Sequence, residues 1–235
     1  MEEHEVVSSD RWLEARKELL IKEKEFTRLR DRLSQQRRDL PWEVVDKEYV
    51  FEGPSGRKTL PELFDGRSQL VVYHFMFEPG WDEGCPHCSF WADSFDRIIV
   101  HLNHRDATMI AVSRAPFPKL EAYAERMGWS FNWLSSLQSD FNYDFHVSFT
   151  PEEVAAEEAL YNFTRQDPGG EDREGVSVFY KDARGDVFHT YSAYARGIDI
   201  LNAAYHYLDL VPKGRDEAGH DGPQFWVRRH DEYES

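Results

Sequence analysis

The pair Cys85 and Cys88 constrains this chain more than any other feature of its sequence. They are the only two cysteines among 235 residues, and they stand three positions apart. The apolar run Leu70–Phe77 before them is typical of a strand buried on both faces, and Phe90–Asn103 after them has the pattern of a helix. A C-x-x-C motif in this context indicates a redox or metal site rather than a stabilising disulfide, because the cytosol keeps thiols reduced.

The position of Cys85 at the start of a helix predicts a reactive thiol. Unpaired backbone N–H groups and the helix dipole favour negative charge there, so the pKa of Cys85 should be lowered and Cys85 should be the nucleophile. Cys88, one helical turn later, is placed to attack a mixed disulfide on Cys85 and release the product. Pro86 presets the backbone dihedral at the helix start, and a cationic His87 would stabilise the thiolate. The predicted catalytic residues are therefore Cys85, Cys88 and His87.

A metal site is the alternative interpretation of the same two cysteines. Zinc or copper would need further ligands, because two thiolates leave the coordination sphere incomplete. The candidate histidines are those on the elements predicted around the motif, namely His74, His101, His104 and His189. This hypothesis describes a copper- or zinc-binding protein, or a metal-dependent oxidase, that uses Cys85 and Cys88 with His74 or His189.

The charge of the chain excludes several classes of partner. Acidic residues number 44 against 28 basic ones, which gives a net charge of -16. A field of this sign repels nucleic-acid phosphates and anionic lipid surfaces, so neither nucleic acid nor membrane binding is expected. The stretch Met1–Glu5 begins no secretory signal, and no apolar run is long enough for a membrane span. We therefore expect a cytoplasmic protein.

The order of the predicted elements indicates an α/β fold. Strand, helix, strand and helix, followed by a hairpin and a last helix, describe the thioredoxin plan of parallel strands with crossover helices. An N-terminal β-hairpin turns at Gly53–Gly56, and a helical turn is expected at Leu60–Phe64. The remaining predicted elements are the helices Asp10–Arg38, Phe90–Asn103, Pro118–Met127 and Asp199–Leu208, and the strands Lys47–Phe51, Leu70–Phe77, Thr108–Ser113, Phe131–Ser136, Val176–Tyr180 and Val187–Tyr191.

These elements divide the chain into three parts. Residues 1–40 form an N-terminal helical arm, 41–211 a thioredoxin-like domain with a helical insertion at about 151–172, and 212–235 an irregular tail rich in glycine and charge. Apolar residues recur every seven positions along the arm, at Trp12, Leu19, Phe26 and Leu33. This narrow stripe either packs on its own domain or pairs with a second subunit, which makes a homodimer through the N-terminal helix one prediction.

Six short segments together form a specific pattern. They are His74–Phe77, Gly84–Asp93, Ser113–Pro116, Met127–Trp129, Ser139–Asn142 and Val187–Ser192. The pattern resembles a bacterial thioredoxin-like family catalogued as domain of unknown function family 899, and the resemblance runs from the N-terminal helix to about Arg215. It implies a thioredoxin-like, peroxiredoxin-like fold, in a family whose members are regarded as thiol-disulfide oxidoreductases.

The chain departs from better-known relatives of this fold at two positions. Peroxiredoxins carry a threonine three positions before the reactive cysteine, where this chain has Asp82, so peroxide reduction is not expected. Thioredoxins carry a cis-proline before the third core strand, where this chain has Gly175–Ser177 and no proline. Because that proline keeps metals off the dithiol, its absence leaves room for a metal.

Three functions remain after these observations. The first is thiol-disulfide exchange without a cofactor, on a protein or small-molecule thiol or disulfide, with Trp81 or Trp91 shaping the surface around the pair. The second is the copper or zinc protein described above. The third is a non-catalytic thioredoxin-fold binding module in which the helical arm carries the function.

Overall fold

A long helix and a mixed sheet are the two parts of this computed structural model, which describes residues 4–220 and 222–234. The chain divides into the units Met1–Pro41 and Trp42–Ser235. The first unit contains the predicted long helix, α1 (Ser9–Arg38), in which no residue is buried. Ser8 caps its N-terminus, since its hydroxyl accepts from the backbone N–H of Arg11 at 3.4 Å. Among the described residues, no helix combines the length and apolar character needed to cross a bilayer.

The second unit is built on one large sheet with short helices. Its strands are β1 (Glu43–Val44), β2 (Val50–Gly53), β3 (Gly56–Thr59), β4 (Gln69–His74), β5 (Ala107–Ser113), β6 (Asn132–Ser135), β7 (Ala159–Tyr161), β8 (Thr164–Gln166), β9 (Gly175–Lys181) and β10 (Val187–Tyr194). Its helices are α2 (Pro86–Phe95), α3 (Ile99–His104), α4 (Phe117–Met127), α5 (Phe141–Asp144), α6 (Pro151–Ala155) and α7 (Ala203–Leu208), with 3₁₀ segments at Leu60–Phe64, Asp96–Ile98 and Ala195–Leu201.

The topology of the large sheet confirms the thioredoxin-like fold class. Within the described residues, the strand order is β1-β10-β9-β4-β5-β6-β2-β3. Strand β4 pairs in parallel with β5, and β5 with β6, whereas β9 runs antiparallel to both β4 and β10. Helix α2 connects the parallel strands β4 and β5, α4 follows β5, and α7 follows the β9–β10 hairpin. The predicted N-terminal hairpin is β2–β3, which extends the sheet beyond β6.

Alternate residues of β4 face the two sides of the sheet. Tyr73 packs in the apolar layer that contains Cys85 and Cys88. Val72 packs in the opposite layer, where the imidazole of His74 stacks on two phenylalanine rings. The continuous apolar pattern of this strand therefore reflects burial on both faces, as the sequence predicted.

Helix α2 begins earlier and ends sooner than the predicted helix Phe90–Asn103. It begins at Pro86, since proline suits the first helical position, and it gives way to a 3₁₀ turn at Asp96. The carboxylate of Asp96 accepts from the backbone N–H groups of Ser130 at 2.7 Å and Phe131 at 3.1 Å. Because these partners are distant in the chain, the sequence around the break gives no indication of it.

The predicted last helix, Asp199–Leu208, is also divided. The 3₁₀ segment Ala195–Leu201 comes first, and α7 follows it. Asn202 separates the two, because its side-chain oxygen accepts from the backbone N–H of Tyr205 at 3.1 Å and caps α7.

The insertion at 151–172 contains both a helix and a hairpin. Helix α6 begins with a capping box between Thr150 and Glu153, and the β7–β8 hairpin, which the sequence pattern did not predict, follows it. At the end of the insertion, the Asp172 carboxylate accepts from Nε of Arg114 at 2.7 Å, so a buried ion pair ties the segment to the end of β5. The segment is thus part of the folded domain rather than a loose loop.

The residues after position 211 form no strand or regular helix in the described part, 212–220 and 222–234. They nevertheless pack on the domain, because Val227 is buried and Arg126 of α4 pairs with Asp231 at 2.7 Å.

Gly84 provides a test of the packing just before the first cysteine. A Cβ at this position would lie 2.8 Å from a ring carbon of Phe75 and 2.9 Å from one of Tyr123. We expect Gly84→Ala to lower the free energy of unfolding by about 1–3 kcal/mol in urea denaturation, because both rings are buried and confined. Gly80→Ala, in the same loop, is the control, since nothing lies within 4 Å of its added Cβ. Equal stability of the two variants would contradict this packing.

The homodimer through α1 stays a prediction that sedimentation can test. Glutamate at two stripe positions, in Leu19→Glu with Phe26→Glu, should convert a dimer of the full chain into a monomer, because the charges would be buried in the helix pair. The control is Lys17→Glu with Lys24→Glu on the opposite side of the helix, which adds more negative charge and should leave a dimer intact. A wild-type monomer at micromolar concentration would rule the dimer out.

Candidate dithiol site

The two cysteines are positioned by hydrogen bonds to Met76, which lies just beyond the end of β4. Cys85 is the N-cap of α2, and its backbone N–H donates to the carbonyl of Met76 at 3.1 Å. The backbone N–H of Met76 in turn donates to Sγ of Cys88 at 3.4 Å. Both cysteines are free thiols, with exposed fractions of 7% for Cys85 and 1% for Cys88. The start of the helix is therefore fixed against the end of β4, with both sulfurs inside the protein.

The surroundings shift the pKa values of the two thiols in opposite directions. A hydrogen bond from Cys88 holds the pKa of Cys85 well below its ordinary value, and a hydrogen bond from His87 acts in the same direction against the effect of burial. Burial raises the pKa of Cys88 well above its ordinary value, and the neighbouring charge of Cys85 raises it further. Of the two thiols, Cys85 is therefore the one that ionises at the lower pH.

His87 is the titratable side chain that bonds to the Cys85 thiol. Its hydrogen bond to Cys85 raises the pKa of the imidazole, against the opposing effect of partial burial. A hydrogen bond to the backbone of Gln224 raises this pKa further. The structure thus brings together the three predicted residues, Cys85, His87 and Cys88, and it adds a C-terminal residue to them.

Glu174 is a site residue that the sequence did not reveal. The register of β9 on β4 pairs Gly175 with His74, so the next position sets Glu174 opposite Phe75, on the face that carries the dithiol. Burial raises the pKa of the Glu174 carboxyl, and the charge of Cys85 acts in the same direction. The missing proline near Gly175 was the one indication in the sequence that this corner differs from a thioredoxin.

A cavity of about 270 Å³ opens beside the two sulfurs. Tyr73, Met76 and Trp91 line it together with the dithiol. The lining also includes the polar or charged residues His87, Arg173, Glu174, Arg196, Asp199 and Gln224, and Pro223. Of the two tryptophans expected near the pair, Trp91 lines this cavity and donates through Nε1 to the carbonyl of Ile198 at 3.0 Å, whereas Trp81 is not among the lining residues.

The C-terminal segment 222–234, called the cover below, lies beside Cys85, since Pro223 and Gln224 line the cavity. Arg229 donates through Nη2 to the carbonyl of Gly84 and through Nε to the hydroxyl of Tyr123, both at 2.9 Å, and it pairs with Glu83 at 3.1 Å. Beside it, His230 bonds to Asp93 of α2 at 2.8 Å. The segment is thus tied to the residues on both sides of the first cysteine.

The histidines of the metal hypothesis lie elsewhere. His74 stacks on the ring of Phe141 and His189 meets the ring of Phe145 edge-on, in the layer on the other face of the sheet from the dithiol. They belong to a hydrogen-bonded chain, in which His74 bonds to Ser177 at 2.9 Å, Ser177 to Ser192 at 2.9 Å, and Ser192 to His189 at 2.8 Å.

The proposed set of metal ligands is therefore not assembled. The sheet separates His74 and His189 from Cys85 and Cys88, because alternate residues of a strand face opposite sides. His101 and His104 lie on α3 and do not line the cavity. Within residues 4–220 and 222–234, no three His, Cys, Asp or Glu side chains are grouped as a metal ion requires.

Structural comparison finds distant likeness to thiol-active proteins. A peroxidoxin, BcpB from Mycobacterium tuberculosis, is 15% identical over 69% of this chain and 93% of its own, with a TM-score of 0.46. A mutant of peroxiredoxin Q from Xanthomonas campestris is 13% identical over 71% of this chain and 95% of its own, with a TM-score of 0.49. A putative thiol:disulfide interchange protein DsbE from Chlorobium tepidum is 11% identical over 72% and 94% of the two chains, with a TM-score of 0.43.

Sequence comparison gives a closer assignment. No curated protein matches the chain. The model of one protein family matches residues 1–233, which extends well past Arg215 and includes the segment that covers the dithiol. The chain therefore belongs to the family described as bacterial protein of unknown function (DUF899).

Proposed function

We propose that this protein is a thiol-disulfide oxidoreductase in which Cys85 is the nucleophile and Cys88 the resolving thiol. The observation that supports this most directly is the opposite acidity of two adjacent thiols beside a cavity. A thiolate is the nucleophilic form of cysteine, and a neighbouring protonated thiol can later displace it from a mixed disulfide. A pair that only contributed to packing would require no such difference.

The first step is attack by Cys85 on a substrate disulfide, R–S–S–R′. A bond forms between Sγ of Cys85 and one substrate sulfur, the S–S bond of the substrate breaks, and R′–S⁻ leaves. His87, which bonds to the attacking sulfur, carries a proton that the leaving thiolate can take. The dithiol loses its negative charge at this point, which lowers the pKa of His87 and favours that transfer.

The second step requires Cys88 to lose its proton. Burial holds the pKa of this thiol high, so a neighbouring base is needed, and the carboxylate of Glu174 lines the same cavity. As the proton passes to Glu174, Sγ of Cys88 attacks Sγ of Cys85, a Cys85–Cys88 disulfide forms, and R–S⁻ leaves and takes up the proton. Two electrons have then passed from the dithiol to the substrate, and two equivalents of a reducing thiol restore the protein.

Selective alkylation tests the assignment of the nucleophile. Iodoacetamide should label Cys85 and spare Cys88, as mapped by mass spectrometry. Because the pKa of Cys85 is lowered in the folded protein, labelling should persist well below the ordinary thiol pKa of about 8.5 and decline only as the pH falls through the lowered value. The Cys88→Ser variant should trap a mixed disulfide through Cys85. Preferential labelling of Cys88 would contradict the assignment.

The Glu174→Gln variant tests proton transfer. Formation of the Cys85–Cys88 disulfide from the mixed disulfide should slow by roughly 100-fold or more at neutral pH, because the base is lost, and alkylation of Cys85 should continue. Stopped-flow release of a chromogenic thiol measures the step.

Stability measurements separate this effect from a folding defect. The Glu174 carboxyl has a raised pKa in the folded state, so its ionised form destabilises the protein above that pKa and has no such effect below the unfolded value of about 4.3. The glutamine variant should therefore keep or raise its Tm at pH 8. Glu171→Gln, which alters an exposed carboxylate outside the cavity, is the control and should leave the rate unchanged. An unchanged rate in Glu174→Gln would remove Glu174 from the mechanism.

A further inference from the structure

Access to Cys85 is restricted in this protein. Its exposed fraction is 7%, and the opening beside it is bordered by Pro223 and Gln224 of the C-terminal segment. A protein disulfide reaches a reactive cysteine only where an extended chain can lie directly over the sulfur. Here the segment 222–234 covers that approach, so a substrate must enter the cavity.

We propose that the substrate is a low-molecular-weight disulfide of the amino-acid type, with ammonium and carboxylate groups, rather than a disulfide in a folded protein. This inference rests on the proposed function and narrows its substrate class. It is supported by the volume of the cavity, by the charges that line it, and by the way in which the C-terminal segment is fixed.

The volume of the cavity suits a small molecule. Its 270 Å³ lies just below the usual range of about 300–1,000 Å³ for ligand pockets. A disulfide of two amino acids is of this order of size. A polypeptide loop, whose backbone continues in both directions from the disulfide, would require the cover to move away.

The charged residues that line the cavity are of both signs. The guanidinium groups belong to Arg173 and Arg196, and the carboxyl groups to Glu174 and Asp199. Arg196 pairs with Asp199 at 3.3 Å and is largely exposed, so a ligand carboxylate can replace Asp199 on this arginine at low cost. Asp199 keeps a second partner, Arg215, at 3.0 Å. A substrate with one carboxylate and one ammonium group at each end complements such a lining. A substrate with charge of one sign would leave the opposite pair unmatched.

Arg229, a half-buried arginine, links the cover to the loop before Cys85. Arg229 joins the segment to Gly84, which directly precedes Cys85, and to the hydroxyl of Tyr123. A further link joins the backbone of Gln224 to the side chain of His87. The segment therefore contacts both the nucleophile loop and the residue that stabilises the thiolate, which makes it part of the substrate site rather than a loose tail.

Substrate comparison with the full-length protein tests the proposal. The probes are cystine, the dication cystamine, the dianion 3,3′-dithiodipropionate, the neutral hydroxyethyl disulfide and, as a protein, insulin. We expect kcat/KM for cystine to be at least about tenfold higher than kcat/KM for each of the other small disulfides. It should be at least about 100-fold higher than kcat/KM for insulin. An equal or higher value for insulin would overturn the exclusion of proteins, and preference for a singly charged or neutral probe would overturn the zwitterionic class.

Arg229→Gln tests the role of the cover. Loss of its contacts should raise the rate with insulin at least about fivefold and reduce the preference for cystine, whereas Arg228→Gln, at an arginine whose guanidinium bonds to nearby backbone carbonyls of the same segment, should change neither. If Arg229→Gln has the Tm of the wild type and an unchanged ratio of the rates with cystine and insulin, this role is overturned. If the variant is less stable, the rates are measured below its unfolding transition.

Trapping with Cys88→Ser separates this proposal from the proposed function. A mixed disulfide on Cys85 with insulin but not with cystine would sustain the oxidoreductase and overturn the substrate class. Faster trapping with cystine than with any of the other four probes is the expected result. If Cys85 forms a mixed disulfide with none of the five probes, the proposed function itself fails and the substrate class fails with it.

Discussion

The reciprocal contact between Met76 and the dithiol is the interaction on which the rest of the site depends. The carbonyl of Met76 accepts from Cys85 at 3.1 Å, and its N–H donates to Sγ of Cys88 at 3.4 Å. A residue just past the end of β4 thereby fixes both where α2 begins and where its first turn lies. Since Gly84 has no room for a side chain between two aromatic rings, the loop can reach this position only with glycine there. The glycine at position 84, the start of α2 and the positions of the two sulfurs are therefore set by the same contacts.

Burial of this contact explains the electrostatics of the site. Burial alone would raise the pKa of the Cys85 thiol, and the hydrogen bonds from Cys88 and His87 outweigh that effect. The same burial, with the charge of Cys85 nearby, raises the pKa of Cys88 and of Glu174. Ionisation of one of these groups therefore disfavours ionisation of the others. In the proposed exchange, loss of the negative charge from Cys85 would make Cys88 and Glu174 easier to ionise, which would link its two steps.

The sequence predicted the elements with a local pattern and not those that depend on distant partners. The apolar strand before Cys85 and the helix after it were predicted from a handful of residues, and the topology confirms the fold class. Glu174 joins the site only through the register of β9 on β4, and no local pattern records a register. The segment around Arg229 has no periodicity, because its contacts are single hydrogen bonds to loops and side chains more than 100 residues earlier.

His74 and His189, the two histidines of the metal hypothesis, belong to a hydrogen-bonded chain on the opposite face of the sheet, and this chain affects the site through the strand register. His74, Ser177 and Ser192 form a hydrogen-bonded chain across β4, β9 and β10, and burial lowers the pKa of His74 to about 3, so the imidazole stays neutral. Nδ1 of His74 has no hydrogen-bond partner among the described residues, and the chain forms its hydrogen bonds in one register only. A shift of β9 by one residue would break it and would also turn Glu174 away from the dithiol, since the side chains of a strand alternate between faces. The polar chain on one face of the sheet therefore holds the carboxyl in place on the other.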